Sequence, residues 1–264
     1  MNPLDHITVL LTRSRARMAE TAAILEQEGI DVRCAAVTEI RSPETWTDMD
    51  RALEAVGSYD AIVCTSANGM DTLVDRARSR APRVRDGISA IPMYVVGASS
   101  ADRGAAHGLR TVLLPGVVDA SSLATAMTKA LPSGTRVLHV QGDLADRTLG
   151  ATLNGHGIVV EDVIAYRTVQ VSSDERERIG RECRATDIDA VVFFSPSAVD
   201  GLVACTGDAW IKDRAVIALG KRTTARLTSL GIEVAFAPTT PSVHEIMAFL
   251  RAPGFVPKRK GISY

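Results

Sequence analysis

The sequence predicts an α/β protein made of doubly wound parallel sheets. Short apolar runs rich in β-branched residues alternate with amphipathic helical stretches, and this alternation occurs twice along one chain. The runs fall at 7–12, 31–37, 61–65, 93–96 and 111–114, and again at 136–140, 158–164, 190–194, 215–219 and 232–236. Such runs are expected of buried strands in a parallel sheet. Divided between two units, they predict a five-stranded sheet in each, with right-handed crossovers.

The connecting segments fit that pattern in order. After the first run, "RARMAETAAILEQEG" puts Met18, Ala22 and Leu25 on one helical face and closes at Gly29, a helix-stop glycine. Gly108, Gly157 and Gly231 stand in the same relation to the runs that follow them. Residues 44–56 and 174–185 read as charged helices at equivalent places, expected to be solvated. Asp60 and Asp189 each precede a buried run and are expected to cap turns.

The two halves align without gaps over three stretches. "YDAIVCTSANGMDTLV" (59–74) sits over "IDAVVFFSPSAVDGLV" (188–203), sharing Asp60/Asp189, Ser66/Ser195 and Asp71/Asp200 at an offset of 129. "VGASSADRGAAHGLRTVLLP" (96–115) sits over "LGKRTTARLTSLGIEVAFAP" (219–238), sharing Gly97/Gly220 and Arg103/Arg226. Residues 7–32 align with 135–160. Three similar offsets in the same order indicate a duplicated unit of about half the chain. The alignment leaves two layouts open: 1–130 followed by 131–250, or halves that exchange their first βαβ segment.

Composition excludes several classes. At 264 residues and 46% hydrophobic content the chain can build more than one core, and a net charge of −1 supplies no global field for nucleic acid or a membrane surface. Cys34, Cys64, Cys183 and Cys205 have neither C-x-x-C spacing nor disulfide-scaffold density, so they are expected to be reduced and mostly buried in a cytoplasmic protein. The N-terminal stretch lacks the form of a signal peptide, and no run approaches membrane-spanning length. The histidines (His6, His107, His139, His156 and His244) are scattered without metal-ligand spacing, so no metal site is expected. G-x-G-x-x-G, G-x-x-x-x-G-K-[ST] and G-x-S-x-G are all absent, which disfavours nicotinamide, P-loop and serine-hydrolase chemistry.

In a doubly wound sheet the ligand site lies at the carboxyl ends of the strands, where helices begin with free N–H groups and a positive dipole end. The residues expected there form six turns: Thr12-Arg13-Ser14, Thr65-Ser66-Ala67-Asn68, Gly97-Ala98-Ser99-Ser100, Gln141-Gly142-Asp143, Ser195-Pro196-Ser197 and Gly220-Lys221-Arg222-Thr223-Thr224. Any one of them is ordinarily a helix N-cap. Six at corresponding places suit a single ligand bearing several carboxylates or phosphates.

With these turns in place the sequence resembles the uroporphyrinogen-III synthase family. The resemblance runs from "VLLTRSR" through "YDAIVCTSANGM", "MYVVGASSA", "VQGDLADRTLGATLNGHGIVVEDVIAYRT" and "VVFFSPSAV" to "ALGKRTTARLTSLGIEVAFAPTTPS". The most specific parts are "FFSPSA", the G-x-x-T-T-A turn at 220–225 and the tyrosine of "AYRT". The resemblance implies two flavodoxin-like doubly wound domains joined by a two-stranded β ladder, with a ligand cleft between them. One domain is then 1–38 plus 168–255, the other 41–164, followed by a basic tail at 256–264. The connecting strands are expected near 37–41 and 164–168, with Tyr166 facing the cleft and the hinge closing on the ligand.

The activity implied is cyclisation of hydroxymethylbilane, with loss of water and inversion of the last ring, to uroporphyrinogen III. The family route runs through an azafulvene cation and a spiro intermediate. No cofactor is implied. The other expectations are a monomer, hand-over of the bilane from hydroxymethylbilane synthase, and neither nucleic acid nor membrane as a partner. Tyr166 is the implied proton donor, because a tyrosine phenol ordinarily keeps its proton to about pH 10. The implied substrate contacts are Arg13, Thr65, Ser66, Ala67, Gly97, Ser99, Gly142, Asp143, Ser195, Ser197, Gly220, Thr223 and Thr224. Gln141 stands where many members carry arginine, and Lys221-Arg222 is more basic than the turn usually is. These departures admit a rival of another class, a non-catalytic sensor of a tetrapyrrole or another small polyanion.

Overall fold

A computed structural model of the chain describes residues 7–13, 15–238, 242–252 and 255. The expected basic tail at 256–264, His6 and Ser14 lie outside the described residues. In chain order the elements are β1 (Thr8–Leu11), α1 (Arg15–Gln27), β2 (Asp31–Cys34), β3 (Thr38–Arg41), α2 (Thr47–Glu54), β4 (Ala61–Cys64), α3 (Ala67–Arg78), α4 (Pro82–Ala90), β5 (Met93–Val95), α5 (Ala98–Ala106) and β6 (Thr111–Val112). There follow α6 (Ala120–Ala130), β7 (Arg136–Gly142), α7 (Thr148–Asn154), β8 (Val159–Gln170), α8 (Ser173–Ala185), β9 (Ala190–Phe193), α9 (Pro196–Thr206), α10 (Asp208–Lys212), β10 (Ala215–Ala218), α11 (Lys221–Ser229) and α12 (Val243–Leu250). The chain divides into two compact units, one of Met1–Glu39 with Val169–Tyr264 and the other of Ile40–Thr168.

In the first unit the sheet order is β10-β9-β1-β2, with every pair parallel. Alternate residues feed two cores. Val9, Leu11, Ala190 and Val192 face Met18, Ala22 and Leu25 of α1 and Ile246 of α12, while Leu10, Val191 and Phe193 face α8, α9 and α11. Burial on both faces is the reason β1, β9 and β10 read as apolar runs, whereas the edge strand β2 keeps Asp31 and Arg33 exposed. The helix stop expected at Gly29 is present, with φ of 85°.

In the second unit the order is β3-β8-β7-β4-β5-β6, parallel from β8 through to β6. One face carries Ile62, Leu138, Val140 and Val163 against α2, α3 and α4, and the other carries Ala61, Val63 and Val137 against α6 and α7.

Two expectations are corrected. The sheets have four and six strands among the described residues, not five each. The run at 232–236 makes only an isolated parallel bridge, Ile217 to Phe236, because the N–H groups of Ala235 and Phe236 both turn onto the Val216 carbonyl, and Pro238 follows with no N–H to donate. The second sheet gains β3 beside β8. The charged helices are not simply solvated either: α2 buries Met49, Ala52 and Leu53, and α8 buries Ile179, Gly180 and Cys183.

Residues identical between the halves do identical structural work. Asp189 accepts the Thr8 N–H at 2.8 Å, and Asp60 accepts the Arg136 N–H at 2.8 Å, so each pins the start of a neighbouring strand. Arg226 donates from Nε to Asp200 at 2.7 Å, tying α11 to α9, and Arg103 does the same to Asp71 at 2.6 Å, tying α5 to α3.

Candidate functional site

In the Ile40–Thr168 unit, β8, β7, β4 and β5 are neighbours, so their carboxyl ends lie side by side. At the end of β4 the chain stays extended at Ser66 (φ −141°, ψ 145°) and then enters α3 at Ala67, with the Ser66 hydroxyl accepting the Gly69 N–H at 3.1 Å. Thr65, Ser66 and Ala67 are half-buried. At the end of β5, Gly97 takes φ of 79° before α5, a backbone conformation that L side chains rarely adopt, and Ser99 is exposed on the first turn.

The end of β7 departs from a regular ladder. Register shifts between Gln141 and Gly142, and Gly142 falls opposite Tyr166 of β8. A Cβ on Gly142 would stand 2.6 Å from Tyr166 Cζ and 2.8 Å from its Oη, so the tyrosine ring end lies directly against the bare glycine backbone. The Asp143 N–H donates to the Tyr166 carbonyl at 3.1 Å, and the Asp143 carboxylate accepts the Thr168 N–H at 2.9 Å. The half-buried Tyr166 phenol then meets Ser66, Oη to Oγ, at 3.1 Å. Asp143 therefore clamps the backbone of β8, and Gly142 makes room for a side chain.

The other unit groups its residues at the ends of β1, β9 and β10. Thr12 donates both its N–H and its hydroxyl to the Val192 carbonyl, at 3.2 and 2.8 Å. The Arg13 guanidinium lies 4.9 Å from the Phe194 ring centroid, a cation-π contact. Ser195 caps α9 by accepting the Ala198 N–H at 3.2 Å, and its hydroxyl lies 3.0 Å from that of Ser197. Gly220, with φ of 93°, leads into α11. Thr223 is buried and its hydroxyl donates to the Leu219 carbonyl at 3.0 Å, while that of Thr224 donates to Gly220 at 3.3 Å. Both threonine hydroxyls thus turn back on their own helix.

One polar residue near these ends was not singled out from the sequence as a site residue. His139 on β7 is buried, with Nδ1 2.7 Å from the Asp162 carboxylate. Its Nε2 and the Oε1 of Gln141 are buried without a hydrogen-bond partner among the described residues. A polar residue inside the apolar run "VLHVQG" was the available signal. Cys64, just before Thr65, has its thiol pushed up to about 12 by burial, so it offers no thiolate at neutral pH. Among the described residues no cluster of His, Cys, Asp and Glu is placed to hold a metal ion, and no helix is long and apolar enough to cross a membrane.

Residues 19–248 match the HEM4 family model, described as uroporphyrinogen-III synthase HemD. The chain belongs to the uroporphyrinogen-III synthase family. Among curated relatives it is 28% identical over 167 residues to a protein named uroporphyrinogen-III synthase from Synechococcus elongatus, the match covering 63% of this chain and 62% of that one. It is 22% identical over 224 residues to the porphyrin biosynthesis protein HemD of Ruminiclostridium josui, covering 84% of this chain and 44% of the relative. The chain therefore spans less than two thirds of the length of either.

Two solved structures share the fold. A uroporphyrinogen-III synthetase from Helicobacter pylori has a TM-score of 0.62 at 15% identity, covering 92% of this chain and 99% of that one. A mutant uroporphyrinogen III synthase from the extremely thermophilic bacterium Thermus thermophilus has a TM-score of 0.60 at 16% identity, covering 92% and 96%. At such identities the likeness is one of α/β fold.

Proposed function

We propose that this member of the family is a uroporphyrinogen-III synthase, a cyclising lyase of porphyrin biosynthesis that closes hydroxymethylbilane with loss of water and inversion of the last ring. The observation that carries the reading is a half-buried phenol, Tyr166, held beside the Ser66 hydroxyl at the N-terminus of α3 and the carboxyl ends of parallel strands. A neutral proton donor at the positive end of a helix suits departure of a hydroxyl from a polyanionic substrate. Helix N-termini behind Ser66, Gly97, Ser195 and Gly220 supply N–H donors for carboxylates without immobilising the pyrroles. Positioning of the flexible bilane does the rest, since catalysis requires only that the inverting geometry be favoured.

The proposal includes two flavodoxin-like domains joined by a two-stranded ladder. Hydroxymethylbilane, handed over from its synthase in the cytoplasm to a monomeric, cofactor-independent enzyme, is the substrate in this reading. The test is a coupled assay in which the bilane is generated in place, this protein is added, and the oxidised products are separated into isomers I and III. Mostly isomer III is expected. Isomer I alone, from folded protein, would overturn the synthase in favour of a tetrapyrrole-binding sensor.

A further inference from the structure

Ser66 and Tyr166 are 100 residues apart in the chain, yet their hydroxyl oxygens are 3.1 Å apart. A hydroxyl has two lone pairs and one proton. On Ser66 the helix takes one lone pair through the Gly69 N–H, leaving the proton and one lone pair to face the phenol. The tyrosine has little freedom besides, with its ring against Gly142 and its carbonyl holding the Asp143 N–H. The remaining variable is which way the phenolic proton points.

We infer that Ser66 is a positioning residue for Tyr166, donating its hydroxyl proton to Tyr166 Oη so that the phenol's own proton points outward to the ligand. The opposite arrangement would consume the phenolic proton inside the protein. The inference rests on the synthase reading and adds a named partner to it. As the terminal C–O bond of the bilane breaks, the phenol's proton goes to the departing oxygen and water leaves. The phenolate oxygen keeps the Ser66 hydrogen bond, stronger now that its acceptor is charged. The phenol is restored by the proton lost from the pyrrole carbon that closes the ring, so the balance is one bilane to one macrocycle plus one water.

The helix-capping role of Ser66 is separable from this one, because glycine at an N-cap costs only a few tenths of a kcal/mol relative to serine. Ser66→Gly and Ser66→Thr are made in the full chain, each with and without Tyr166→Phe, and the rate of isomer III formation is measured. Ser66→Gly is expected to slow the native enzyme about tenfold, as for loss of a hydrogen bond to a charged group, and to change the Tyr166→Phe enzyme less than twofold. Ser66→Thr, which keeps the hydroxyl, is expected to stay within about threefold of native. In parallel, tyrosine labelled with carbon-13 at the ζ position is followed by NMR, with the Tyr166 resonance identified by its loss in Tyr166→Phe. That resonance should move in Ser66→Gly and hold in Ser66→Thr. Equal losses in both backgrounds, or an unmoved resonance in Ser66→Gly, would overturn the inference. If the native protein forms only isomer I, the synthase reading falls by itself, and the resonance, which needs no turnover, still tests the Ser66 contact.

Discussion

Gly142→Ala is a one-methyl test of how Tyr166 is placed. The new Cβ would lie 2.6 Å from Cζ, 2.7 Å from Cε2 and 2.8 Å from Oη of the tyrosine. Carbon atoms rest about 3.5–4.0 Å apart, so the ring end must retreat by about 1 Å. These are its outermost atoms, and the hydroxyl moves with them. A displacement of that size breaks a hydrogen bond that begins at 3.1 Å, and about 1 Å of misplacement is worth up to about 100-fold in rate. Stability should change little. Alanine in a strand gains roughly 0.5–1 kcal/mol over glycine, and the overpacking cost stays near the low end of about 1–3 kcal/mol because a half-buried ring can swing outward. The expected result is isomer III formation reduced to the level of Tyr166→Phe, with a urea midpoint close to native. Native activity in a normally folded Gly142→Ala protein would refute the packing argument, and activity well below Tyr166→Phe would show that the methyl displaces more than the ring.

Asp50 is held down to about 2 by the hydrogen bond from Arg76, against the opposing effect of burial, and further by Arg80. A depressed carboxylate stabilises the fold above its unfolded value near 4 and loses that contribution as pH falls through about 2. Discounted for its partial exposure, the contribution is about 1–2 kcal/mol, so Asp50→Asn should lower urea stability at pH 7 by that much, with the gap closing between pH 4 and 2. Gly180 of α8 is packed so closely on α9 that a Cβ would clash with the Cys205 carbonyl oxygen. Helix propensity alone makes Gly180→Ala stabilising by about 1 kcal/mol, whereas the contact predicts a loss of about 1–3 kcal/mol; thermal melting decides the sign. Finally, the buried Cys64, with its thiol pushed up to about 12, should react with a disulfide reagent at pH 8 only after unfolding, and Cys34, the most accessible of the four cysteines, should react first.

The strand and helix order was legible because burial on both faces leaves apolar runs at the inner strands, and because Gly29, Gly108, Gly157 and Gly231 all adopt the positive φ of a helix stop. The count of strands was not. Whether 232–236 completes a ladder depends on two N–H groups sharing one carbonyl, which no periodicity encodes. The turns at the carboxyl ends followed from strand-turn-helix order, and Ser66 and Ser195 are indeed caps. What they touch was hidden. Tyr166 meets Ser66 because register slips by one residue between Gln141 and Gly142, a tertiary event without a local signature. The buried hydroxyl of Thr223 was hidden for a related reason, since a helix start shows a hydroxyl without showing which way it turns.

The repeat separates framework from chemistry. Asp60/Asp189, Asp71/Asp200 and Arg103/Arg226, identical in both halves, pin strand starts and tie helices, and Ser66/Ser195 and Gly97/Gly220 shape the helix entrances. A duplicated framework of this kind presents helix N-termini at corresponding places in each unit. It does not explain a reaction, for which the units must differ. They differ where "VLLTRSR" aligns with "VLHVQGD", so that Arg13 corresponds to Gln141. One unit carries an exposed guanidinium over Phe194 at that place; the other carries a buried amide followed by the bare glycine that admits Tyr166. In the proposed synthase, Arg13 would serve as a carboxylate partner and Tyr166 as the proton donor. On that reading a guanidinium would hold carboxylate in every state, whereas the phenol would act only where a hydroxyl departs. Replacing Arg13 by glutamine should therefore raise KM with little loss of kcat, while Tyr166→Phe should lower kcat at nearly constant KM. The reverse assignment of effects would show that the asymmetry in the repeat is not the asymmetry of the chemistry.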